Sequence, residues 1–315
     1  MVPAEFVILF PLYVLIAALI LDRLTGDPRS PLHPVALIGT FIGWWGRPGR
    51  YPVRFQRAAG VFFWCVTIFA FAFPFFLFWK FAPAAIVLIG APFLLKCCFA
   101  WRSLEEHTMA VVEALQSGTG AGREKVRMLV SRDTSLLSDE HILSAAYESM
   151  TENLTDSIIS PLCYYAVSGL TGAAVYRAAN TMDAMLGYRD ERERLGWFSA
   201  RMDDLLNFIP ARITVLFLLL YFSLKGRFTQ SYLVMRRDGK KRPGYNGGIV
   251  MAAMAGGVGI RFEKPGVYSI GDAKRPLGDG GREILRAVRA VTLMGAIAAG
   301  GTLILLGSWI NSMGI

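Results

Sequence analysis

Histidine and cysteine are scarce in this chain of 315 residues, which has three histidines and four cysteines. The cysteines all lie in apolar segments: Cys65, Cys97, Cys98 and Cys163. The adjacent pair lacks the C-x-x-C spacing of a zinc or redox site. A histidine-rich transition-metal centre is therefore not expected, and any metal is predicted to be Mg²⁺ bound by oxygen ligands.

Charge is also low, since 18% of the residues are charged and 54% are hydrophobic, whereas soluble domains average about 25% charged residues. The chain contains no hydrophilic linker, low-complexity tract or internal repeat that would divide it. We therefore predict one polytopic membrane domain over residues 1–315. Its active site is expected within 22–57, 102–212 and 225–286.

Long hydrophobic stretches are present, and four of them approach the ~20 residues needed to cross a bilayer. They cover 6–21, 58–79, 81–101 and 287–310. The fold class predicted is an all-α integral membrane protein with about four clear transmembrane helices. Two other apolar stretches, 158–175 and 209–224, are interrupted or short, so we predict buried or re-entrant helices there. Two true spans are the alternative.

Basic residues accumulate in the loop after the first predicted span, which carries Arg23, Arg29, Arg47, Arg50, Arg54 and Arg57, whereas the next connection offers only Lys80. The positive-inside rule then predicts an external N-terminus in the cell membrane, with the acidic motifs facing the cytoplasm. If 158–175 and 209–224 both span, the segment 180–207 lies outside instead.

The net charge of +9 is explained by the same bias, and we expect no nucleic-acid partner. One basic cluster comprises Arg236, Arg237, Lys240, Lys241 and Arg242. It could contact anionic lipid or guide an anionic substrate, but we interpret it as a solvated loop without a specific role.

Carboxylates recur every four residues in the predicted helix 138–157, where Glu148, Glu152 and Asp156 share one face. Like charges at this spacing repel each other, and no lysine is interspersed to offset them. The pattern favours a metal or ligand site over a solvated acidic face.

Two further segments combine carboxylates and amides. Asn180 and Asp183 share a face in ANTMDAMLGY, and Asp203 or Asp204 can join Asn207 in ARMDDLLNFIPARIT. Arg201 and Arg212 flank the second set. Carboxylates and an amide for Mg²⁺, with arginines for phosphate oxygens, are what phosphoryl transfer requires. A structural ion-pair network is the alternative.

A proline-rich loop follows the first predicted span, in LDRLTGDPRSPLHPVALIG, and contains Asp22, Asp27 and His33. Pro28, Pro31 and Pro34 restrict the backbone, so the three polar side chains would be held rigidly at the membrane surface. A helix cap followed by a turn explains the same residues equally well.

Several of these motifs, in this order, closely resemble the cobinamide-phosphate synthases of the CobD/CbiB family. They are DRLTGDPR, HPVALIG, SRDTS, ESMTENLTDSIISPLCYYAVSGLTGAAVYRAANTMDAMLGY and ARMDDLLNFIPARIT. The resemblance runs from about residue 21 to residue 278.

The resemblance implies an ATP- and Mg²⁺-dependent ligase of cobalamin biosynthesis. Its expected partners are adenosylcobyric acid, a corrinoid, and (R)-1-aminopropan-2-ol or its O-phosphate, with ATP as co-substrate and membrane lipid as surroundings. No tightly bound organic cofactor is expected. The resemblance does not settle which amino alcohol is accepted. The oligomeric state is also left open, and a homo-oligomer is one of the alternatives.

Roles for individual residues follow from the resemblance. The candidate metal ligands are Glu152, Asp156, Asp183, Asp203, Asp204 and Asn207. Candidates for nucleotide or phosphate binding are Arg132, Asn180, Arg201, Arg212 and Asn246. Candidate catalytic residues are Asp22, Asp27, His33, Glu152, Asp203 and Asp204, of which the first three could deprotonate the substrate ammonium. ATP cannot be assigned by motif, because the sequence has no P-loop.

The chain departs from the family pattern at two places. Ile249, Val250 and Met251 replace a Trp-Pro-Glu sequence, and Glu263 and Lys264 replace a glycine pair. A divergent member with another amine substrate is therefore one alternative. A Mg²⁺-dependent intramembrane prenyltransferase acting on a diphosphate is a second. A transporter is a third, although it would be expected to show inverted repeats.

Overall fold

The computed structural model of the protein describes residues 4–27, 30–31 and 33–312, with side chains from 9 to 309 within those ranges. The chain is 78% helical, which confirms the all-α prediction. It divides into two compact units, each built from separate segments. Unit 1 comprises Met1–Ala100, Ser160–Leu206 and Ala296–Ile315, and unit 2 comprises Trp101–Ile159 and Asn207–Gly295. No linker marks this division, which is why the sequence indicated a single domain.

In the residues that the structure describes, unit 1 contains six α-helices and the second half of a seventh. They are α1 (Ala4–Thr25), α2 (Pro34–Trp45), α3 (Gln56–Phe81), α4 (Ala84–Lys96), α8 (Ser160–Leu186), α9 (Glu193–Leu206) and α13 (Leu277–Ser312). One core cluster joins α2, α8 and α9 through the buried side chains of Trp45, Met182 and Leu195. Close helix packing requires glycine at Gly60, where a Cβ would lie 2.1 Å from the Leu195 carbonyl oxygen.

Unit 2 contains the remaining helices and the first half of α13. They are α5 (Trp101–Gln116), α6 (Thr119–Val126), α7 (Asp139–Leu154), α10 (Phe208–Leu224), α11 (Phe228–Asp238) and α12 (Gly247–Val258), with one π-helical turn at Thr155–Ile159. Helix α12 is almost entirely buried. It packs tightly on α11, because a Cβ at Gly256 would lie 2.6 Å from the Gln230 carbonyl oxygen.

The strands described form one antiparallel hairpin of β1 (Arg261–Lys264) and β2 (Tyr268–Gly271), in which Lys264 pairs with Tyr268. The Val267 N–H donates to the Lys264 carbonyl at 3.0 Å, and Gly266 has a φ of +71°. Pro265 and Gly266 thus occupy the positions that a type II turn prefers for proline and glycine. The hairpin lies in unit 2, where β1 packs on α7.

Four helical runs in the described part of the chain are long and apolar enough to cross a membrane. They are Val53–Phe81, Ala84–Gln116, Asp139–Leu186 and Leu277–Trp309. Three of them contain or overlap the predicted spans 58–79, 81–101 and 287–310, which confirms these as apolar helices of sufficient length. The predicted first span, 6–21, lies in α1 but begins before the first described side chain, so it stays a prediction.

The stretch 158–175 belongs to the run Asp139–Leu186, which has 48 residues and is long and apolar enough to span. Its buried character is confirmed, since 61% of its most apolar window is buried, against 17% for Val53–Phe81. The predicted interruption is also present, because Gly169 has a non-helical φ of +62°.

The stretch 209–224 coincides with α10, which forms a bent pair with α9 across a break at Asn207. The predicted re-entrant or buried character of this region is therefore confirmed. Helix α9, which holds Asp203 and Asp204, ends at Leu206. Asn207, which was expected on the same helix, therefore lies just beyond its end.

Candidate functional site

Glu148 is the most completely engaged carboxylate of the α7 acidic face in unit 2. Its side chain is only 4% exposed. It accepts hydrogen bonds from Arg132 Nη2 at 2.8 Å, Ser144 Oγ at 2.5 Å and the Tyr268 hydroxyl at 2.6 Å. Burial and the Glu148 charge raise the pKa of Tyr268, so the hydroxyl remains a donor. Glu148 thereby anchors the loop of Arg132 and the hairpin to α7.

Glu152, one turn further along α7, forms an ion pair with Arg242. Burial lowers the pKa of Arg242, but the charges of Glu152, Tyr268 and Asp156 outweigh burial and raise it. Our interpretation of the basic cluster 236–242 as a solvated loop is therefore wrong for Arg242. Arg242 engages Oε1 of Glu152, so this carboxylate is already paired with a cation of the protein.

The π-helical turn Thr155–Ile159 directly follows α7 and contains Asp156. Turns of this kind are rare in proteins overall, and those that occur are often located at functional sites. The Thr155 hydroxyl bonds the Thr214 hydroxyl of α10 at 3.1 Å, within the buried interior of unit 2. Asn153, just before the turn, donates to the Ser149 carbonyl and accepts from Ser157.

Arg212 of α10 and Asn246 at the start of α12 are also brought together in unit 2. Arg212 Nη1 donates to Asn246 Oδ1 at 2.6 Å and to the Phe208 carbonyl at 2.9 Å. A Cβ at the next residue, Gly247, would lie 2.7 Å from Arg242 Nη1. Arg212 is thus joined to Asn246, and Arg242, which lies beside the next residue, connects the start of α12 to Glu152.

The departures from the family pattern lie in the same unit. Val250 and Met251 are fully buried within α12, so the apolar side chains match their surroundings. Glu263 lies in β1, where its backbone N–H donates to Ser144 Oγ at 2.7 Å. The same hydroxyl donates to Glu148, so the hairpin is joined to the acidic face through backbone as well as side-chain contacts.

In unit 1, the structure brings together Asn180 of α8 and Asp203 of α9. Asn180 Nδ2 donates to Asp203 Oδ1 at 3.2 Å. Asp183, one turn along α8, bends over the helix end, where a Cβ at Gly187 would lie 2.0 Å from its Oδ1. Asp203 and Asp204 are partly exposed, and Arg201 is exposed. Asn207 belongs to unit 2 and is 1% exposed.

The proline-rich loop of unit 1 holds Asp27 and His33, whereas Asp22, which was expected in the same loop, lies near the end of α1 and is fully buried. Asp27 Oδ1 accepts a hydrogen bond from Lys96 Nζ at 2.9 Å. Two of the three prolines can be described, and Pro28 lies outside the described residues. Asp27 is thus one half of an ion pair with a lysine whose side chain is 1% exposed.

His33 caps α2, since its Nδ1 accepts the Val35 N–H at 3.3 Å and Pro34 follows at the first helical position. The cap interpretation is therefore confirmed for His33. Burial lowers the pKa of His33, and the Lys96 and Arg177 charges add to this, while the Asp27 charge opposes it. A neutral imidazole with Nδ1 accepting carries its proton on Nε2.

The arrangement of the potential ligand side chains does not support a metal site formed by the protein alone. Among the residues that the structure describes, no three His, Cys, Asp or Glu side chains lie close enough together to hold an ion. Mg²⁺ that arrives with a nucleotide usually takes one or two protein carboxylates and completes its shell with phosphate oxygens and water. Asp203, oriented by Asn180, offers oxygen ligands suited to that arrangement.

Sequence reasoning missed Lys96, Arg177, Arg242 and Tyr268. A signal existed for Lys96, because a charged residue within an apolar helix calls for a partner. No local signal existed for Arg242 and Tyr268, which contact α7 from 90 and 120 residues away along the chain.

Comparison with known proteins assigns the chain to a family. The family described as CobD/Cbib protein matches residues 15–294. A probable cobalamin biosynthesis protein CobD from Methanothermobacter thermautotrophicus is 38% identical over 298 residues, which cover 93% of this chain and 98% of the relative. Its counterpart from Thermococcus kodakarensis is 42% identical over 281 residues, covering 88% and 90% of the two chains. The cobalamin biosynthesis protein CobD from Dehalococcoides mccartyi is 37% identical over 273 residues, covering 84% and 88%.

No solved structure matches the chain. The family match includes most of both units, with α7, its π-helical turn and the start of α12, and ends before the Ala296–Ile315 segment of unit 1. The chain belongs to the CobD/CbiB family of cobalamin biosynthesis proteins.

Proposed function

We propose that the protein is an adenosylcobinamide-phosphate synthase, an ATP- and Mg²⁺-dependent ligase. It joins the amine of (R)-1-aminopropan-2-ol O-phosphate, or of aminopropanol, to the free carboxylate of adenosylcobyric acid. The observation that carries this proposal is a set of three arginines in unit 2, in which Glu148 holds Arg132, Glu152 holds Arg242 and Asn246 holds Arg212. Arginines positioned in advance are suited to phosphate oxygens, because their planar fork gives paired hydrogen bonds.

The reaction needs activation of the carboxylate, because an amine does not displace a carboxylate oxygen at a useful rate. The economical sequence transfers the γ-phosphoryl group of ATP to that oxygen, which gives an acyl phosphate and ADP. The amine nitrogen then attacks the acyl carbon, phosphate leaves, and the nitrogen loses a proton to a base. Arg132, Arg212 and Arg242 would neutralise the phosphate charge as it moves between these oxygens.

Mg²⁺ would be held in unit 1 by Asp203 with Asn180, with Asp183 and Asp204 as further oxygen ligands, and would supply charge neutralisation at phosphate oxygens. Asp22 and His33 are candidates for the base. His33 would act through Nδ1, which its capping hydrogen bond now engages. Asp27 would first have to separate from Lys96.

The test uses the purified protein in lipid nanodiscs with Mg²⁺-ATP, adenosylcobyric acid and aminopropanol O-phosphate. Mass spectrometry should detect the amide product, and its amount should equal the ADP formed. Product should disappear without ATP, with a chelator, and in Asp203→Asn. Asp190→Asn is the matched control, because this exposed aspartate pairs with Arg192 on the surface of unit 1.

Two results would refute parts of the proposal. Amide formation with release of AMP and diphosphate would replace the acyl phosphate by an acyl adenylate but keep the ligase. An absence of amide across several amino alcohols, with ATP intact, would refute the ligase itself.

We also propose that the active site faces the cytoplasm, where ATP is available. The support is the arginine-rich segment that follows α1. A Ser135→Cys variant in a Cys65→Ser background tests this, since Ser135 is exposed. An impermeant maleimide should label it in inside-out vesicles and leave it unlabelled in intact cells, and the reverse pattern would refute the orientation.

A further inference from the structure

A cleft of about 570 Å³ lies in unit 2 between the C-terminal end of α6 and the loop 130–135. Its basic lining consists of Arg123, Arg127 and Arg132, and hydroxyl groups come from Ser131, Thr134 and Ser135. The volume falls within the range of small-molecule sites. Arginine guanidinium groups supply the charge-assisted donors that suit a phosphate group.

Two of the arginines are fixed by the protein. Arg132 is held through Nη2 by the buried Glu148. Arg123 donates from Nε to the Leu137 carbonyl at 2.8 Å, which leaves the other edge of its guanidinium available. Donors fixed before a ligand arrives lose little conformational entropy when it binds.

The loop itself is closed by its own polar groups. The Thr134 hydroxyl donates to the Arg123 carbonyl at 3.2 Å, and Asp133 accepts the Ser135 N–H at 2.9 Å. These contacts join the loop to α6 and commit the Asp133 carboxylate to the turn. The Ser135 side chain also hydrogen-bonds Asp133, and Ser131 lies at the exposed edge.

Arg127 is the third arginine and is exposed. No residue in the described part of the chain accepts a hydrogen bond from its side chain. The dipole of α6 favours cations at this end. It does not account for their position around a cleft that also carries three hydroxyl-bearing residues.

We propose that this cleft binds a phosphate group of a substrate, either the triphosphate of a nucleotide or the phosphomonoester of an amino alcohol. The inference rests on the proposed function for the identity of these two ligands. It adds Arg123 and Arg127, which no sequence motif indicated, to Arg132. It also gives SRDTS a physical role as the hydroxyl-bearing wall of a phosphate site.

The test is calorimetric titration of the full-length protein in nanodiscs. The probes are a non-hydrolysable ATP analogue with Mg²⁺, aminopropanol O-phosphate, and aminopropanol without phosphate. Arg127→Gln should weaken binding of one phosphate ligand by about tenfold or more. Lys125→Gln is the matched control, because it removes the same charge from an exposed position of α6 that does not line the cleft.

The phosphate ligand whose affinity falls in Arg127→Gln is the one that the cleft binds. The affinity for aminopropanol, which has no phosphate, should be the same in Arg127→Gln and the wild type. Equal affinities for the phosphate ligands in both variants and the wild type would overturn the proposal that the cleft binds phosphate. So would equal losses in both variants, or a wild-type protein that binds neither phosphate ligand.

Amide synthesis separates the two proposals. Product from the wild type, with Arg127→Gln binding unchanged, would refute the cleft and keep the ligase. Arg127-dependent phosphate binding without any amide product would keep the cleft and refute the ligase.

Discussion

The guanidinium of Arg132 and the carboxylate of Glu148 form an ion pair, with 2.8 Å between Nη2 and Oε2 and side-chain exposures of 12% and 4%. Removing one partner of such a pair leaves the other charge buried and uncompensated. We expect Glu148→Gln to lower the free energy of unfolding by about 3–5 kcal/mol. Thermal denaturation in a defined detergent would measure this.

The control for this prediction is Glu106→Gln, because Glu106 forms an exposed pair with Arg102. Exposed pairs at this spacing contribute only about 0.3–0.5 kcal/mol. If Glu148→Gln and Glu106→Gln cost the same, Glu148 is not the anchor of the Arg132 loop.

Arg242 is expected to matter for catalysis, because it connects Glu152 to the start of α12. Arg242→Gln should lower kcat/KM for amide formation by about tenfold or more, since a charge-assisted contact is lost. Lys240→Gln removes a nearby exposed charge and should leave the rate within twofold. Equal effects of the two variants would show that only the overall charge of 236–242 counts.

Asp27 and Lys96 should be energetically coupled. Asp27→Asn leaves Lys96 buried without its ion-pair partner and should cost about 3 kcal/mol. Adding Lys96→Met removes the buried charge, so the double variant should be more stable than the sum of the single effects predicts. Strict additivity in denaturation experiments would contradict the coupling.

His33 is expected to make the stability of the folded protein depend on pH. Since its pKa is lowered in the folded state, His33 binds its proton less tightly there than in the unfolded chain. Its contribution to stability is present above a pH of about 6.5, the unfolded value, and falls as the pH drops towards the folded pKa. His33→Asn keeps a capping side chain and removes the titration. Its Tm should therefore fall less than the wild-type Tm between pH 7 and pH 5.5.

The contact of α3 with α9 should not tolerate a methyl group. Gly60→Ala would bring a Cβ to 2.1 Å from the Leu195 carbonyl oxygen, and we expect a cost of about 1–3 kcal/mol. Gly43→Ala is the control, because nothing lies within 4 Å of its added Cβ. This variant should gain about 0.5–1 kcal/mol from helix propensity. A Gly60→Ala protein as stable as the wild type would refute the close packing.

Features set by local geometry were predictable from the sequence. Hydropathy identified three of the four long apolar helices, because surfaces that face lipid must be continuously apolar. Helical spacing placed Glu148, Glu152 and Asp156 on one face, because that spacing depends only on the regular helix.

Contacts between distant segments were not predictable. The partner of Glu152 lies in a basic cluster that looks like an ordinary surface loop, and Tyr268 approaches Glu148 only because the hairpin packs on α7. The break at Asn207 was also missed, because helical spacing suggested that Asn207 lies on the same helix as Asp203 and Asp204. The single-domain prediction gave no indication of two units, since each unit is assembled from separated segments.

The assembly of each unit from separated segments limits the order in which the two units can be completed during synthesis. The last segment of unit 2 ends at Gly295, whereas unit 1 requires the half of α13 that begins at Ala296. Gly300 of that half lies beside Leu12 of α1, across almost the entire chain. During synthesis, α1 can pack early on α4, where the Tyr13 hydroxyl donates to the Leu88 carbonyl, but its contact with α13 forms only after the final helix has emerged from the ribosome. Unit 2 can therefore close before unit 1 is complete.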